Sequence, residues 1–545
     1  MIRRVLLLFP LVLLTVVLLP PLFMGCFHRA ALECYQAELR AAGHFKTLAE
    51  ARPRPLTNVV SGGPALTNLL RQLPSVPAAI RFSGVIHLAA GTRRVDWIQP
   101  EMPSDERTNL WPELRVFLGT NAAGIAALRG ALEAPVLEFA VRYEDGPRVR
   151  LPHLGIANSI VELLGRDALL QLHDGRPGLA LADTIAGVHL AARWNHEPIL
   201  LTQLIRIPIA MIMSATTWEV LQFQGWNDAD LAALQEAWLE LDLPALGDAT
   251  LDLEAAEQLD MLRHLSREDY DRFSASLSGS GGEVPDSFIG ILKLCCRDPQ
   301  EGIKAAWDRY PRWWAFRIWG HYQVEKVVLQ QIETFRTLLR TAVEQRAWLV
   351  PLCEAETNVT RLKGRVPWLT DFNEYSGVLL YPKLMARYAG IEAQRSLVLA
   401  AIALERHRLK HGRYPAGLGQ LVPEFLAALP RDPMNGQSLH YSRNEDGTFT
   451  LYSVGRNGQD DGGDPASDGN PSYWEQVRDI VWPKPANQTE VDAGHESLVN
   501  QLLARQAASP LPGTSKEKPE RFDAHDESRL SGPNGTNVPP SPASR

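Results

Sequence analysis

Cysteine is scarce in this chain. Five residues in 545, Cys26, Cys34, Cys295, Cys296 and Cys353, are too few and too scattered for a disulfide framework, and neither a C-x-x-C pair nor a His/Cys spacing suited to zinc occurs. The adjacent Cys295 and Cys296 read as small core residues, since free cysteine is among the most buried side chains. A basic excess is missing too: 55 Lys and Arg against 63 Asp and Glu give a formal charge of -8. Without a basic stripe to neutralise phosphates, nucleic acid is not an expected partner. No glycine loop that could cradle a phosphate precedes a helix, so ATP or dinucleotide chemistry has no support. His196-Glu-Pro-Ile-Leu200 opens like H-E-x-x-H, but the second histidine is absent and Pro198 breaks the helix that such a zinc site needs. Ser274 to Gly282 lacks the G-x-S-x-G spacing of a nucleophile elbow and reads as a flexible loop of small residues.

What is present is an address and an architecture. The length of 545 residues implies two or three cores. Arg3 and Arg4 precede an apolar run, Val5 to Leu19, that continues without a charge to Cys26. Three outcomes compete: an uncleaved anchor with the positive end in the cytoplasm, a lipoprotein signal ending at Gly25-Cys26 with Cys26 lipidated, and a cleaved export signal. All three place the bulk of the chain outside the cytoplasm, and the expected location is the inner membrane with that bulk periplasmic or extracytoplasmic. Residues 1–26 are therefore the signal or anchor, and residues 27–113 an amphipathic helix followed by an irregular, proline-rich connector.

Residues 114–390 read as a helical domain. Ile156 to His173 and Pro177 to Trp194 form two helices joined by a tight turn, with Pro177 suited to a first helical position. The second, rich in alanine, resembles one helix of a tetratricopeptide hairpin, although no period repeats three times as a solenoid would require. Asn227 to Asp230 caps a helix through Leu241, and Leu251 to Leu265 and Glu333 to Arg346 give further helices. Tyr310 to Trp319 is rich in aromatics and reads as a core helix, with a membrane-facing surface as the other reading.

Residues 391–483 carry the most specific pattern. Ile391, Val398, Ile402 and Leu409 lie in one stripe of a helix with a single packing face. Gly412 ends it, Asp432-Pro-Met-Asn-Gly436 makes a turn, and Leu439/Tyr441 with Phe449/Leu451 form a hairpin around Asn444-Glu-Asp-Gly447. Gly412-Arg-Tyr-Pro415, Leu429-Pro-Arg-Asp-Pro433, Ser453-Val-Gly-Arg-Asn-Gly458, Asp460-Asp-Gly-Gly463 and Asp479-Ile-Val-Trp482 follow in an order that resembles the globular part of the major pseudopilin of type II secretion systems. The resemblance covers about 93 residues. It implies a calcium loop, with Asn457 and Asp479 as the side-chain ligands. Asn457 stands where that family has aspartate, so Asp460, Asp461 and Asp464 become candidates for replacement oxygens, since calcium takes six to eight ligands flexibly. The leader of a pilus subunit is missing, and roughly 360 residues separate the apolar run from this module, which argues against filament assembly. Residues 484–545, rich in Pro, Ser and Asn, read as a disordered tail.

The expected fold is mainly α, with a small C-terminal α+β pseudopilin-like domain. The expected function is a membrane-anchored extracytoplasmic scaffold or interaction protein with protein partners. Two other readings stand beside it: an accessory component of a secretion or pilus-like system, and an enzyme with a site around His173, Asp174, His189 and His196. Catalysis is the less favoured class, because no catalytic constellation is visible.

Overall fold

The computed structural model describes residues 23–496 apart from 55, 57, 75–76, 78–86, 90, 103–108, 244–246, 271–292, 294–296, 299, 301–312, 364–380, 466–477 and 495. The apolar run up to residue 22, the loop Ser274 to Gly282, the Cys295–Cys296 pair and the chain from 497 onward lie outside the described residues.

The fold is mainly α, with two small sheets among the described residues. Helix α1 (23–41) is followed by α2 (Gly63–Gln72), α3 (Trp111–Thr120) and α4 (Ala122–Leu132). The central layer is α5 (Pro152–His173), α6 (Pro177–Arg193), α7 (Leu200–Leu221) and α8 (Asp228–Glu240). The helices α9 (Gly247–His264), α10 (His321–Gln345), α11 (Leu349–Lys363) and α12 (Tyr381–His411) complete the body. The expected turn between α5 and α6 is present, with Gly175 at φ +74, and both helices start on a proline within their first turn. Asn227 caps α8 through a reciprocal hydrogen-bond pair with Asp230, which satisfies two otherwise free N–H groups.

Helix α7 is apolar enough and long enough to cross a membrane, yet two thirds of it is buried against α5, α6 and α12. A helix apolar on all sides must be enclosed by something, and here the enclosure is protein. Helix α12 departs from the single packing face expected of it. Every residue from Leu397 to Leu404 is buried, because α7 and α8 cover one side while the C-terminal strands and a short 3-10 turn, Leu418–Leu421, cover another. The alanines at 400, 401 and 403 allow those neighbours to approach. The helix also begins at Tyr381, so the expected boundary at 390/391 falls inside it, and the chain up to His495 clusters as one unit.

Strands β1 (His87–Ala89) and β2 (Thr92–Arg93) form a sheet with β6 (Lys484–Pro485), while β3 (His440–Arg443), β4 (Phe449–Ser453) and β5 (Ile480–Val481) form the second. The β3–β4 hairpin is antiparallel, with Tyr441 opposite Leu451, as the alternation predicts. The parallel pairing of β2 with β6 corrects the expectation of a disordered tail from residue 484. Lys484 N–H donates to Gly91 O and Ala486 N–H to Arg93 O, both at 2.9 Å, and Val491 is buried in the turn of helix that follows. Backbone groups paired in this way hold the chain in place where composition alone suggested disorder.

Candidate functional site

The acidic loop is positioned by Asp432, which has no exposed surface. Its carboxylate accepts hydrogen bonds from Met434 N at 2.9 Å, Ser453 Oγ at 2.7 Å and Val454 N at 2.9 Å. One side chain thus ties the Leu429-Pro-Arg-Asp-Pro433 turn to the end of β4, where the loop departs. Gly455 follows at φ +62, and a Cβ there would lie 1.9 Å from the carbonyl oxygen of Arg478. Only glycine lets the outgoing and returning chains pass this closely. Arg456 pairs with Glu356 on α11, and Trp348 N and Leu349 N donate to Pro433 O and Met434 O, so the loop's base is fastened to the helical body.

The five candidate ligands fall into two groups. Asp460 is engaged: Oδ1 accepts from Tyr452 Oη at 2.7 Å and Gly462 N at 3.0 Å, and Oδ2 lies 3.3 Å from His440 Nδ1. The Tyr452 hydroxyl and Gly462 N–H hold its carboxyl below the usual range. Asp464 pairs with Arg478 at 3.1 Å. Asn457 accepts from Gln459 N at 3.0 Å and donates from Nδ2 to Asp461 Oδ2 at 2.6 Å. Asp479 is fully buried, and its Oδ2 accepts from Gly463 N at 2.8 Å and Asp464 N at 3.2 Å. Its Oδ1 is buried without a hydrogen-bond partner. Burial pushes the Asp479 carboxyl up against the opposing pull of the Gly463, Asp461 and Asp464 N–H groups, and the Asp461 charge adds to the rise.

A buried carboxylate oxygen without a partner costs free energy that a bound cation would relieve. The donor set is all oxygen, which fits a hard cation such as calcium. Asp479 and Asp461, with Asn457 and backbone carbonyls, are the groups that would hold it, Asn457 and Asp461 giving up their mutual hydrogen bond to do so, whereas Asp460 is held by Tyr452 and Gly462 and Asp464 by Arg478. No three His, Cys, Asp or Glu side chains gather at metal-binding spacing among the described residues. Two carboxylates plus neutral oxygens make a site of low charge, and ligand charge is one of the terms that sets calcium affinity.

In the helical body, His173, Asp174 and His189 keep separate partners. His173 Nδ1 lies 2.8 Å from Trp97 O and its ring stacks on Trp111 at 4.1 Å. Asp174 pairs with Arg115 and Arg176. His189 Nε2 lies 3.0 Å from Arg193 Nη2, and His196 is exposed. His189 lies twelve residues along α6 from the turn that holds His173 and Asp174, which at 1.5 Å per residue is ~18 Å.

The sequence reading missed the groups the body does bring together. Glu197, beside the failed H-E-x-x-H match, is buried and accepts from His153 Nε2 at 2.9 Å, Trp194 Nε1 at 3.1 Å and the Thr202 hydroxyl. Asp183 on α6 is without exposed surface, and Arg129 Nη1 bridges it at 2.6 Å and Asp167 at 3.4 Å. Burial and the Asp167 charge push Asp183 well above the usual carboxylate range. The available signal was an acid in the middle of an apolar helix, which is a buried-charge warning wherever it occurs. A third cluster joins distant parts of the chain. Arg93 lies over the Trp218 ring at 4.5 Å and 3.3 Å from Glu219, and Trp218 Nε1 donates to Pro483 O at 2.8 Å.

No family model, curated protein or solved structure matches the chain. Its chemistry has to be argued from its own residues.

A cleft of about 550 Å³ lies between the start of α8 and the end of α12, lined by Asn227, Asp228, Arg406, Leu409, Lys410, Glu424 and Phe425. Its cations are committed to neighbours: Arg406 forks onto Asp228 at 2.8 and 3.0 Å, and Lys410 pairs with Glu424. Such internally neutralised walls give a small anion or zwitterion little to gain.

Proposed function

We propose that the chain is a membrane-anchored extracytoplasmic scaffold or interaction protein, with a tetratricopeptide-type hairpin in its body and a pseudopilin-like C-terminal module steadied by calcium. What carries the anchor is the apolar run that begins at Val5 behind Arg3 and Arg4 and continues without a charge to Cys26; further along the same chain, Leu32 and Leu39 of α1 are buried in the body. A membrane anchor followed in sequence by a helix packed into the fold would tether the whole body to the bilayer. The antiparallel α5–α6 pair supports the hairpin reading. The order of helix, turn, β3–β4 hairpin, acidic loop and β5 supports the pseudopilin-like one. The unpartnered Asp479 oxygen supports the cation.

Two measurements test this. Full-length protein expressed in a Gram-negative host should resist alkaline extraction from membranes and be digested by protease added to spheroplasts; recovery in the soluble fraction, or protection in intact spheroplasts, would overturn the assignment. Calcium added to the full chain at about 100 times its dissociation constant should stabilise the fold by ~2.7 kcal/mol. Asp479→Asn should abolish that shift. An unchanged melting temperature in the unaltered protein would remove calcium from the proposal.

A further inference from the structure

Two histidine rings stand together at the end of α12. His407 and His411 are four residues apart in its last turns, so their side chains leave the same face of the helix. Their ring centroids lie 4.3 Å apart, the one contact between two histidine rings among the described residues. His407 Nδ1 lies 3.0 Å from Arg413 O. A carbonyl can only accept, so Nδ1 carries the proton and Nε2 of the neutral ring keeps its lone pair. Among the described residues nothing bonds to that Nε2 or to the His411 ring; the Nε2 is not sealed from solvent, and His411 is exposed.

An imidazole with one N–H fixed on a backbone carbonyl and the other nitrogen open is the arrangement of a metal-ligating histidine, because the outer bond sets the tautomer and aims the ring. Two such rings one turn apart on a helix can share an ion at the usual nitrogen–metal distance of about 2.0–2.1 Å. The surroundings suit a cation. Phe425 stands 5.8 Å from the His407 ring and 6.4 Å from the His411 ring, which gives the pair an apolar wall. Arg406, Arg408 and Lys410 are neutralised by Asp228, Glu405 and Glu424, and the carbonyls of the helix end bring the negative pole of its dipole to the same turn. Arg408 occupies the place that glutamate has in H-E-x-x-H. The pair therefore lacks that motif's general base and is suited to binding, not to hydrolysis. No cysteine accompanies it in sequence, so it is a two-imidazole site and not a His/Cys zinc set.

We propose that His407 and His411 clamp one divalent ion of the kind that imidazole prefers, such as zinc, nickel or copper(II), with water in the remaining positions. The ion would fasten the last turn of α12, just where Gly412, at φ +71, turns the chain toward the C-terminal strands. The site shares no residue with the all-oxygen loop around Asp479 and stands independently of calcium there.

The test uses the full chain, purified without a histidine tag and titrated with copper(II), the tightest binder of the first-row divalent series. One equivalent should bind ahead of the scattered remaining histidines, and its electron paramagnetic resonance spectrum should show two coordinating nitrogens. His411→Gln removes an exposed ring and should leave the metal-free melting temperature unchanged. It should weaken the first equivalent by more than the ~10-fold that loss of an outer-shell partner costs, and reduce the coordinating nitrogens to one. His407→Gln should weaken it as well, but it also loses the bond to Arg413 O, so the exposed position decides. Asp479→Asn should leave the copper site intact, which separates it from the calcium loop. Absence of saturable copper binding, or a first equivalent that His411→Gln does not change, would overturn the clamp.

Discussion

Asp432→Asn is the sharpest test of how the acidic loop is held. The substitution keeps size and shape but turns one carboxylate oxygen into an NH2 group. In the native site Oδ1 accepts from Met434 N and Ser453 Oγ while Oδ2 accepts from Val454 N. Whichever way the amide is turned, an N–H must face a backbone N–H in a fully buried position. An unsatisfied buried polar group costs ~1–3 kcal/mol, and the remaining bonds lose their charge assistance. We expect a total of about 3 kcal/mol, felt where the turn meets β4. Hydrogen exchange read on peptides covering 432–456 is the appropriate assay, because it measures local opening free energy. About 3 kcal/mol corresponds to exchange of the Met434 and Val454 amides roughly 100-fold faster. Ser453→Ala removes one donor and leaves two, so it should cost only ~1 kcal/mol. If Asp432→Asn accelerated exchange by less than about threefold, the carboxylate would not be the joint described above.

Two further outcomes follow from burial and backbone geometry. Burial, with help from the Glu254 charge, pushes Glu257 on α9 up to about 7 from an ordinary value of 4.5. The folded state then holds a proton that the unfolded chain gives up, so this residue makes stability fall as pH rises from the unfolded value to the folded one. At 1.36 kcal/mol per unit, the penalty is about 1 kcal/mol at pH 5 and about 3 kcal/mol at pH 8. Glu257→Gln should therefore stabilise the protein more at pH 8 than at pH 5 in urea melts, and an equal effect at both would contradict the assignment. Gly455→Ala should cost more than about 3 kcal/mol, since its Cβ would overlap the Arg478 carbonyl oxygen at 1.9 Å and a main-chain atom cannot rotate away. Gly447→Ala, also left-handed at φ +82 but with open space around it, should cost only ~1 kcal/mol; equal losses at the two positions would show that the close crossing does not matter.

Much of the local structure was legible because its causes lie within a few residues. The Asn227–Asp230 cap, the α5–α6 turn at Gly175, the Asp432–Gly436 turn and the hairpin around Gly447 each rest on contacts between near neighbours, and each residue type announces its role. Long apolar periodicities likewise placed α5, α6, α8 and α9 to within a few residues at most ends. Which of the candidate loop residues have hydrogen-bond partners, and that Asp479 is buried with one oxygen unpartnered, could not be read from their order in the chain.

Helices, caps and turns follow from periodicity and from short side-chain reach, and those were written in the chain's own order. What the folded arrangement added was partnership across distance. Arg93 meets Glu219 across 126 residues and Trp218 meets Pro483 across 265, and no local pattern marks either pairing. The same holds for α7, whose apolar surface suits lipid or protein equally well until α5, α6 and α12 are seen to enclose it. Burial belongs to the assembled molecule, because whether a side chain is paired, crowded or wet depends on chain that arrives from elsewhere.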